Sequence, residues 1–322
     1  MSPTHLNLDH VADRIIDFFC QNTQAVVCLW WPTASGKSSL SIRLARQMSA
    51  LWLVCEIISA DSRQIYRGMD IGTDKVSQTL RNQVIHHQID IITPDQVYTS
   101  GQRKHDTDIL VSEIHARGHY PLIVWGTGLY IDTMYYNFTL PSVKPDPEYR
   151  SYLEKMESDS PGILHQMLTK VDPIDAKLHH PHSTRFIIRS LEIYHQTWKT
   201  KSSLFVSQQL PYPMLMAGIM PSSIYSIWYI DARVDDMIWQ WFIDEVQSLV
   251  WQWYDRQCVA MNGIWYIEVM NYIDGLTDLY QCARLIKQHT HQYAKKQRTW
   301  MRKYIHDMEH NPVHGVEYVI QQ

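Results

Sequence analysis

The chain has 322 residues, of which 45% are hydrophobic and 19% charged, with a formal net charge of -4. This composition excludes wholesale disorder, which combines fewer apolar residues with more charge, and the length allows one large domain or two ordinary ones. No apolar run approaches the roughly 20 residues that span a bilayer, and the five cysteines lack C-x-x-C spacing. We therefore expect a soluble protein of the reducing cytoplasm, independent of membranes, with no feature that demands more than a monomer.

The first 136 residues alternate predicted strands with predicted helices. Ala25 to Trp31 is nearly all apolar, as in a strand buried on both faces, and apolar residues from Leu40 to Ala45 indicate the helix that follows. Further strands are predicted over 53–59, 88–92 and 121–125, and a further helix over 101–117. This alternation predicts an α/β fold in which helices cover a parallel sheet.

The rest of the chain predicts a helical insertion and a second part of the core. Prolines separate short amphipathic segments between 141 and 213, where strand signals are few. A strand candidate at 214–220 precedes long helical patterns over 222–254 and 278–303. We therefore predict a first core part over 1–140, a helical insertion over 141–213, and core completion with long C-terminal helices over 214–322.

A predicted phosphate-binding loop follows the first strand. Such a loop needs backbone N–H groups at a helix N-terminus, a lysine that reaches the phosphates and a hydroxyl that binds Mg²⁺. Gly36, Lys37 and Ser38 supply these groups, with Ser38 as the Mg²⁺ ligand, although Trp31 stands where the loop pattern expects glycine. The alternative is an ordinary turn. The loop assigned to a diphosphate or a nucleotide such as ATP consists of Trp31, Pro32, Thr33, Ala34, Ser35, Gly36, Lys37 and Ser38.

Two further segments follow predicted strands, and open α/β sheets bind ligands at the carboxyl ends of their strands. Asp61 follows the second strand, although Asp61 or Ser62 could instead cap a helix. Residues 126–128 read Gly-Thr-Gly after the strand at 121–125, and an ordinary glycine turn is the alternative.

Near the C-terminus, basic and aromatic residues over 287–304 form a candidate RNA-facing strip. A solvated helix face is the alternative there.

Taken together, these motifs resemble the tRNA dimethylallyltransferases, also called tRNA isopentenyltransferases. The matching stretches run in family order from about residue 25 to 304. The stretch from Glu56 to Thr73 is the most specific, because generic P-loop kinases lack it. Further matches lie at 86–91, 126–130, 189–192, 233–235 and 292–300.

The resemblance implies a P-loop NTPase-like core with an inserted helical subdomain that helps to grip the anticodon stem-loop. It implies transfer of a dimethylallyl group from dimethylallyl diphosphate to N6 of the adenosine immediately 3′ of the tRNA anticodon, with Mg²⁺ as cofactor. The family's catalytic roles fall on Asp61 as the base, Thr127 as a substrate contact and Arg233 as a stabiliser of the leaving diphosphate. Its tRNA contacts fall on Asp61, Ser62, Arg63, Gln64, Thr127, Arg150, Arg185, Lys295, Lys296, Gln297, Arg298 and Arg302.

Three other functions are alternatives to this one. A P-loop kinase that phosphorylates a small molecule has no use for the basic C-terminal helix bearing Tyr293 and Trp300. A prenyltransferase acting on free adenine nucleotides would not depend on tRNA. An RNA-binding protein with an inactive P-loop requires that Trp31 be genuine.

Several tryptophans stand where the resembling family has glycine. The chain has 12 glycines against roughly 22 expected at average usage, and it also has 12 tryptophans. An indole at Trp31 should obstruct a phosphate loop, which needs close backbone approach to its ligand.

We hypothesise that the gene uses UGA for glycine and was translated with UGA as tryptophan. The alternative is real divergence with impaired activity. The suspect positions are Trp31, Trp125, Trp198, Trp241, Trp253 and Trp265.

Overall fold

The structure is a computed structural model that describes residues 8–30, 32, 37–126, 128–138, 143–205, 210–219, 223–310 and 316–321. Within these residues the strands are β1 (Val26–Trp30), β2 (Cys55–Ala60), β3 (His86–His87), β4 (Tyr120–Trp125), β5 (Met214–Ile219) and β6 (Val316–Gln321). They form one sheet in the order β3-β2-β4-β1-β5-β6, and every neighbouring pair is parallel. The predicted α/β class with a parallel sheet is confirmed.

Helices make up most of the remaining described chain. They are α1 (Leu8–Gln21), α2 (Lys37–Ala50), α3 (Gln78–Arg81), α4 (Ser100–Ala116), α5 (Gly128–Tyr135), α6 (Pro147–Asp159), α7 (Ile163–Val171), α8 (Pro173–Leu178), α9 (Thr184–Thr197), α10 (Lys201–Leu204), α11 (Ser223–Trp239), α12 (Phe242–Trp251), α13 (Tyr266–Ile273) and α14 (Leu279–His310). Among the helices described, none combines the length and the apolar character needed to cross a membrane.

Two sequence-based expectations about elements were wrong. The strand predicted over 88–92 is instead the short β3, because Gln88 and Asp90 have φ angles of 59° and 56°, which an extended strand cannot contain. The single helix predicted over 222–254 is two helices, α11 and α12, separated at Trp241, where φ is 70°. Strand β6 was not predicted at all.

The sheet brings chain segments that are distant in sequence to one edge. All residues of β1 and β2 are buried, as expected for central strands that are covered on both faces. Because β1, β2 and β4 are parallel, the residues that follow them emerge at the same edge. These residues include Asp61 after β2 and Gly126 after β4, while α2 begins at Lys37 a few residues beyond β1.

The chain divides into two compact units. The first comprises 1–99, 105–131 and 210–322, and the second comprises 100–104 and 132–209. In the second unit, α6 and α8 begin with Pro147 and Pro173, and the preceding Asp146 and Asp172 accept backbone N–H groups as N-caps. Leucines of α6 and α7 pack with α9 in a separate apolar core. The domain boundaries predicted from the sequence stay predictions.

Within the residues that the structure describes, five tryptophans adopt a left-handed backbone. Their φ angles are 63° at Trp52, 55° at Trp198, 70° at Trp241, 69° at Trp253 and 85° at Trp265. This region costs a non-glycine residue about 1–2 kcal/mol. Four of the five are suspect positions, which supports the recoding hypothesis on conformational grounds. Trp125 ends β4, and Trp31 lies outside the described residues.

Candidate active site

A cavity of about 480 Å³ opens at the carboxyl edge of the sheet, within the first unit. This volume lies in the range of small-ligand sites. The predicted site residues in its wall are Lys37, Ser38, Asp61, Ser62, Arg63, Gln64, Arg233 and Gln297. The structure thus brings the predicted base together with the predicted phosphate-binding lysine. Trp31, Thr33, Ala34, Ser35, Gly36 and Thr127 lie outside the described residues.

Lys37 is the cation at the start of α2. Its ammonium donates to the carbonyl oxygen of Pro32 at 2.8 Å. Burial lowers the pKa of Lys37 to about 8, and Arg233 acts in the same direction, whereas the carboxylates of Asp61 and Asp74 oppose the shift. A bound anion would raise this pKa again, because an opposite charge favours the charged form. The cavity therefore favours an anionic ligand beside Lys37.

Asp61 is fixed by backbone groups on two sides. Its Oδ1 accepts the backbone N–H of Arg63 at 2.7 Å. Its Oδ2 lies against Gly126, where an added Cβ would stand only 2.9 Å from that oxygen. A side chain at position 126 would therefore displace the carboxylate, so glycine is required there for close approach. This contact accounts for the first glycine of the motif at 126–128.

Arg63 and Gln64 bond within the first unit although both were predicted to contact tRNA. The Arg63 guanidinium donates to the carbonyl oxygens of Val259 and Ala260 at 3.2 and 3.0 Å. Gln64 accepts from the Ser59 hydroxyl at 3.0 Å and donates to the carbonyl oxygen of Asp74 at 3.1 Å. These bonds brace the segment that follows β2 and hence the position of Asp61.

Arg233 projects from α11 into the cavity wall. Its guanidinium pairs with Asp74 at 3.2 Å and lies over the Trp265 ring at 5.6 Å from the ring centroid. The loop that carries Asp74 is held by Glu245 of α12. The Glu245 carboxylate accepts backbone N–H groups from three consecutive residues, Asp70, Ile71 and Gly72, at 2.6 to 3.2 Å.

The other predicted tRNA-binding residues fall into two groups. Arg185, Lys295, Lys296 and Arg302 are exposed. By contrast, Arg150 forms a two-pronged ion pair with the buried Glu192 at 2.8 Å inside the second unit. Arg298 donates to the Ser226 hydroxyl at 3.1 Å, and Gln297 donates to the carbonyl oxygen of Gly126. The roles of all these residues toward tRNA stay predictions.

Three contributors to the site were not among the predicted site residues, although Tyr293 lies within the predicted RNA-facing strip. Glu245 bonds the loop at 70–72, Tyr293 donates to Gly126, and Tyr229 lines the cavity from α11. For Tyr293 a signal existed, because its spacing from Gln297 places both on one helix face. For Glu245 the local pattern is that of any amphipathic helix, and only the fold brings it to the loop.

Comparison with known proteins gives consistent matches. The model of the IPP transferase family matches residues 64–304. The chain is similar to the tRNA dimethylallyltransferases of Pelotomaculum thermopropionicum (37% identity, 85% of this chain and 86% of that protein) and Bacillus subtilis (38%, 87% and 88%). Among solved structures it resembles the tRNA isopentenylpyrophosphate transferase of Bacillus halodurans, with a TM-score of 0.63, 33% identity and coverage of 92% and 90%. It also resembles a eukaryotic dimethylallyltransferase acting on tRNA, with a TM-score of 0.70, 27% identity and coverage of 92% and 73%.

Proposed function

The chain belongs to the IPP transferase family of tRNA dimethylallyltransferases, and from this premise we propose that it transfers a dimethylallyl group from dimethylallyl diphosphate to N6 of the adenosine immediately 3′ of the anticodon in tRNA. One observation carries the proposal at the level of residues. Asp61, Lys37 and Arg233, which the reaction needs as a base and as two cations, line one cavity. An enzyme with this substrate fits the cytoplasmic location expected from the sequence.

The proposed step is a substitution at the allylic carbon. The N6 nitrogen forms a bond to that carbon, and the carbon–oxygen bond to diphosphate breaks with its electron pair on the departing oxygen. An adenine amine is a poor nucleophile because its lone pair is delocalised into the ring. Asp61 accepts the N6 proton as attack proceeds, which is general-base catalysis. The Arg63 N–H on Oδ1 orients the carboxylate, and Oδ2 lies in the space that a Cβ at position 126 would occupy.

The cations of the site stabilise the leaving diphosphate. Negative charge grows on its oxygens as the bond breaks, and fixed positive groups in a water-poor cavity stabilise such charge strongly. Lys37 at the start of α2 and Arg233 on α11 both line the cavity. Since burial holds the pKa of Lys37 at about 8, binding of the diphosphate also draws this lysine toward its fully protonated form.

A magnesium ion fits the donor set beside Lys37. Ser38 offers a half-buried hydroxyl oxygen in the wall of the same cavity. Mg²⁺ prefers oxygen ligands and is usually shared between one or two protein groups and substrate phosphates. Ser38 would hold the ion together with the diphosphate, and the bound ion would neutralise part of the charge on the leaving group. Thr127 keeps its assignment as a substrate contact by resemblance.

The proposal is tested by transfer of labelled dimethylallyl to unmodified tRNA in the presence of Mg²⁺. The chain as written should be compared with a version that carries glycine at the six suspect positions. We expect label on the adenosine next to the anticodon, and none on a tRNA with guanosine there. Label on free adenosine monophosphate without tRNA dependence would instead indicate the adenine-nucleotide prenyltransferase. Absence of label from both folded versions would reject the proposal.

A further inference from the structure

Helix α14 contacts the active site through a tyrosine and a glutamine that share one acceptor. Tyr293 donates its hydroxyl to the carbonyl oxygen of Gly126 at 3.1 Å, and the side-chain amide of Gln297 donates to the same oxygen. A backbone carbonyl has two lone pairs, so it can accept both bonds. The residues are four apart in the helix and therefore lie on one face.

Gly126 connects this helix face to the catalytic base. On one side its carbonyl is held by α14, and on the other side its Cα lies so close to Asp61 that an added Cβ would be 2.9 Å from Oδ2. Rotation of the Gly126 peptide would therefore move backbone atoms toward or away from the carboxylate. The second oxygen of Asp61 is already held by the Arg63 N–H.

Helix α14 is also bonded to the helix that carries Arg233. Lys287 pairs with Asp235 at 2.7 Å, and His291 pairs with Asp231 at 2.8 Å, with both carboxylates on α11. Helix α14 contacts both Gly126, which lies beside Asp61, and α11, which carries Arg233. It therefore influences the distance between these two side chains. His291 stands where the resembling family usually has arginine, and here it forms one of these bonds.

Of the five residues of α14 predicted to bind tRNA, three are exposed, whereas Gln297 lies in the cavity wall and Arg298 bonds Ser226. Lys295, Lys296 and Arg302 are exposed, whereas Tyr293 and Gln297 are partly buried in the cavity wall. We propose that Tyr293 and Gln297 are positioning residues that hold Gly126 and thereby Asp61 for proton transfer, while the exposed lysines of the same helix bind the tRNA backbone. This inference rests on the proposed function and assigns separate tasks to two faces of one helix.

The test separates kcat from KM for tRNA in Tyr293→Phe, Gln297→Met and the double variant. Each change removes one donor and keeps side-chain size. Loss of a hydrogen bond of ordinary strength predicts a fall in kcat of about tenfold for the double variant, with KM within about twofold. Lys295→Gln and Lys296→Gln should raise KM instead, and they should reduce its dependence on salt.

The matched controls are Tyr280→Phe and Gln288→Met, which make the same chemical changes at exposed positions of α14 and should alter neither constant. A rise in KM with unchanged kcat in the Tyr293 and Gln297 variants would overturn the inference, because these residues would then bind tRNA. A parallel loss of melting temperature, with kcat restored on cooling, would overturn it in favour of a purely structural role. Failure of both the chain as written and its glycine version to modify tRNA would reject the proposed function itself.

A second inference concerns Trp52 and rests on helix-ending turns. Helices α4 and α13 end with Gly118 and Gly275 at φ angles of 71° and 73°. In both helices, the glycine N–H donates to the carbonyl oxygen three residues earlier in the chain. The N–H of the residue after the glycine donates to the carbonyl oxygen five residues before it. This is the Schellman motif, in which glycine is by far the usual residue because the backbone is left-handed.

Helices α2 and α12 end in the same motif with tryptophan in the glycine position. Trp52 donates to the Ser49 carbonyl and Leu53 to the Met48 carbonyl, both at 3.0 Å. Trp253 has the corresponding bonds. The Trp52 side chain is 94% exposed, so no packing compensates for its strained backbone. We infer that the natural protein carries glycine at position 52, a seventh position beyond those suspected from the sequence.

Mass spectrometry of peptides from the natively produced protein tests this inference. Glycine at position 52 is the expected result, and tryptophan there would overturn it. A recombinant Trp52→Gly variant gives a second measurement, with a rise in melting temperature of about 2 °C expected from relief of the left-handed strain. The matched control is Trp228→Gly, an exposed tryptophan inside α11, where glycine should lower the melting temperature by a similar amount. A fall at both positions would contradict the inference.

Discussion

Strand β2 carries a carboxylate at each end, and the fold uses them in opposite ways. Glu56 at its start is 1% exposed and bonds Arg117, His87 and His119 at 2.6 to 3.0 Å. Burial raises the pKa of Glu56, but the hydrogen bonds from Arg117, His119 and His87 outweigh burial and hold the pKa at about 2. Asp61, directly after the strand, instead lines an open cavity.

The difference separates a structural carboxylate inside β2 from the proposed base that directly follows the strand. A carboxylate surrounded by three basic side chains cannot take up a proton near neutral pH, so it can serve only to join strands and helices. Asp61 accepts the backbone N–H of Arg63 and lines the cavity, where we propose that it accepts the substrate proton. Changes at the two ends should therefore separate stability from activity.

The largest effect is expected at the carboxyl end. Asp61→Asn keeps the size of the side chain and removes the base, so transfer to tRNA should fall about 10²–10⁴-fold. The melting temperature should stay within a few degrees, and tRNA binding should persist. Rates are measured with labelled dimethylallyl diphosphate, and the control is Asp95→Asn, an exposed aspartate outside the cavity. Full activity in Asp61→Asn would show that the two carboxylates do not differ in this way.

The second effect is expected at the opposite end of the strand. Because the folded-state pKa of Glu56 is depressed, its contribution to stability is present above its ordinary pKa of 4.5 and is lost as pH falls toward 2. Glu56→Gln should cost on the order of 3 kcal/mol at neutral pH and flatten the acid dependence in that window. Denaturant unfolding from pH 7 to pH 2 measures both. The kcat of the molecules that remain folded should be unchanged, and a specific loss of kcat would break the comparison.

The third effect concerns the cation that faces Asp61. The lowered pKa of Lys37, about 8, means that its charge is present below that pH and is lost above it. The KM for dimethylallyl diphosphate should therefore rise by up to about tenfold per pH unit on the alkaline side. A Lys37→Arg variant keeps its charge throughout this range, so its KM should stay flat even if it starts higher. A flat profile in the wild-type chain would contradict the assignment.

Sequence reasoning recovered what depends on local pattern. Strand β1, helix α2 from Lys37 onward and the position of Asp61 after β2 follow from apolar runs and chain order. Most of the loop between β1 and α2 lies outside the described residues, and the roles implied by family resemblance stay predictions. Sequence reasoning failed where distant segments decide the outcome. Glu245 reaches the loop at 70–72 from α12, and Arg150 is bound by Glu192 in the second unit. The break at Trp241 was missed because a tryptophan gives no turn signal where a glycine would.

The position of β6 has a consequence for how the chain folds. Strand β5 pairs with β1 on one side and with β6 on the other, yet β6 follows β5 only after the whole of α11 to α14. During synthesis, therefore, one edge of β5 stays unpaired until α11 to α14 and β6 have been made. Unpaired strand edges promote aggregation, and pairings between distant segments form slowly. A chain that ends before Val316 would expose an unpaired, aggregation-prone edge of the sheet. Every residue that lines the cavity would nevertheless be present in that chain.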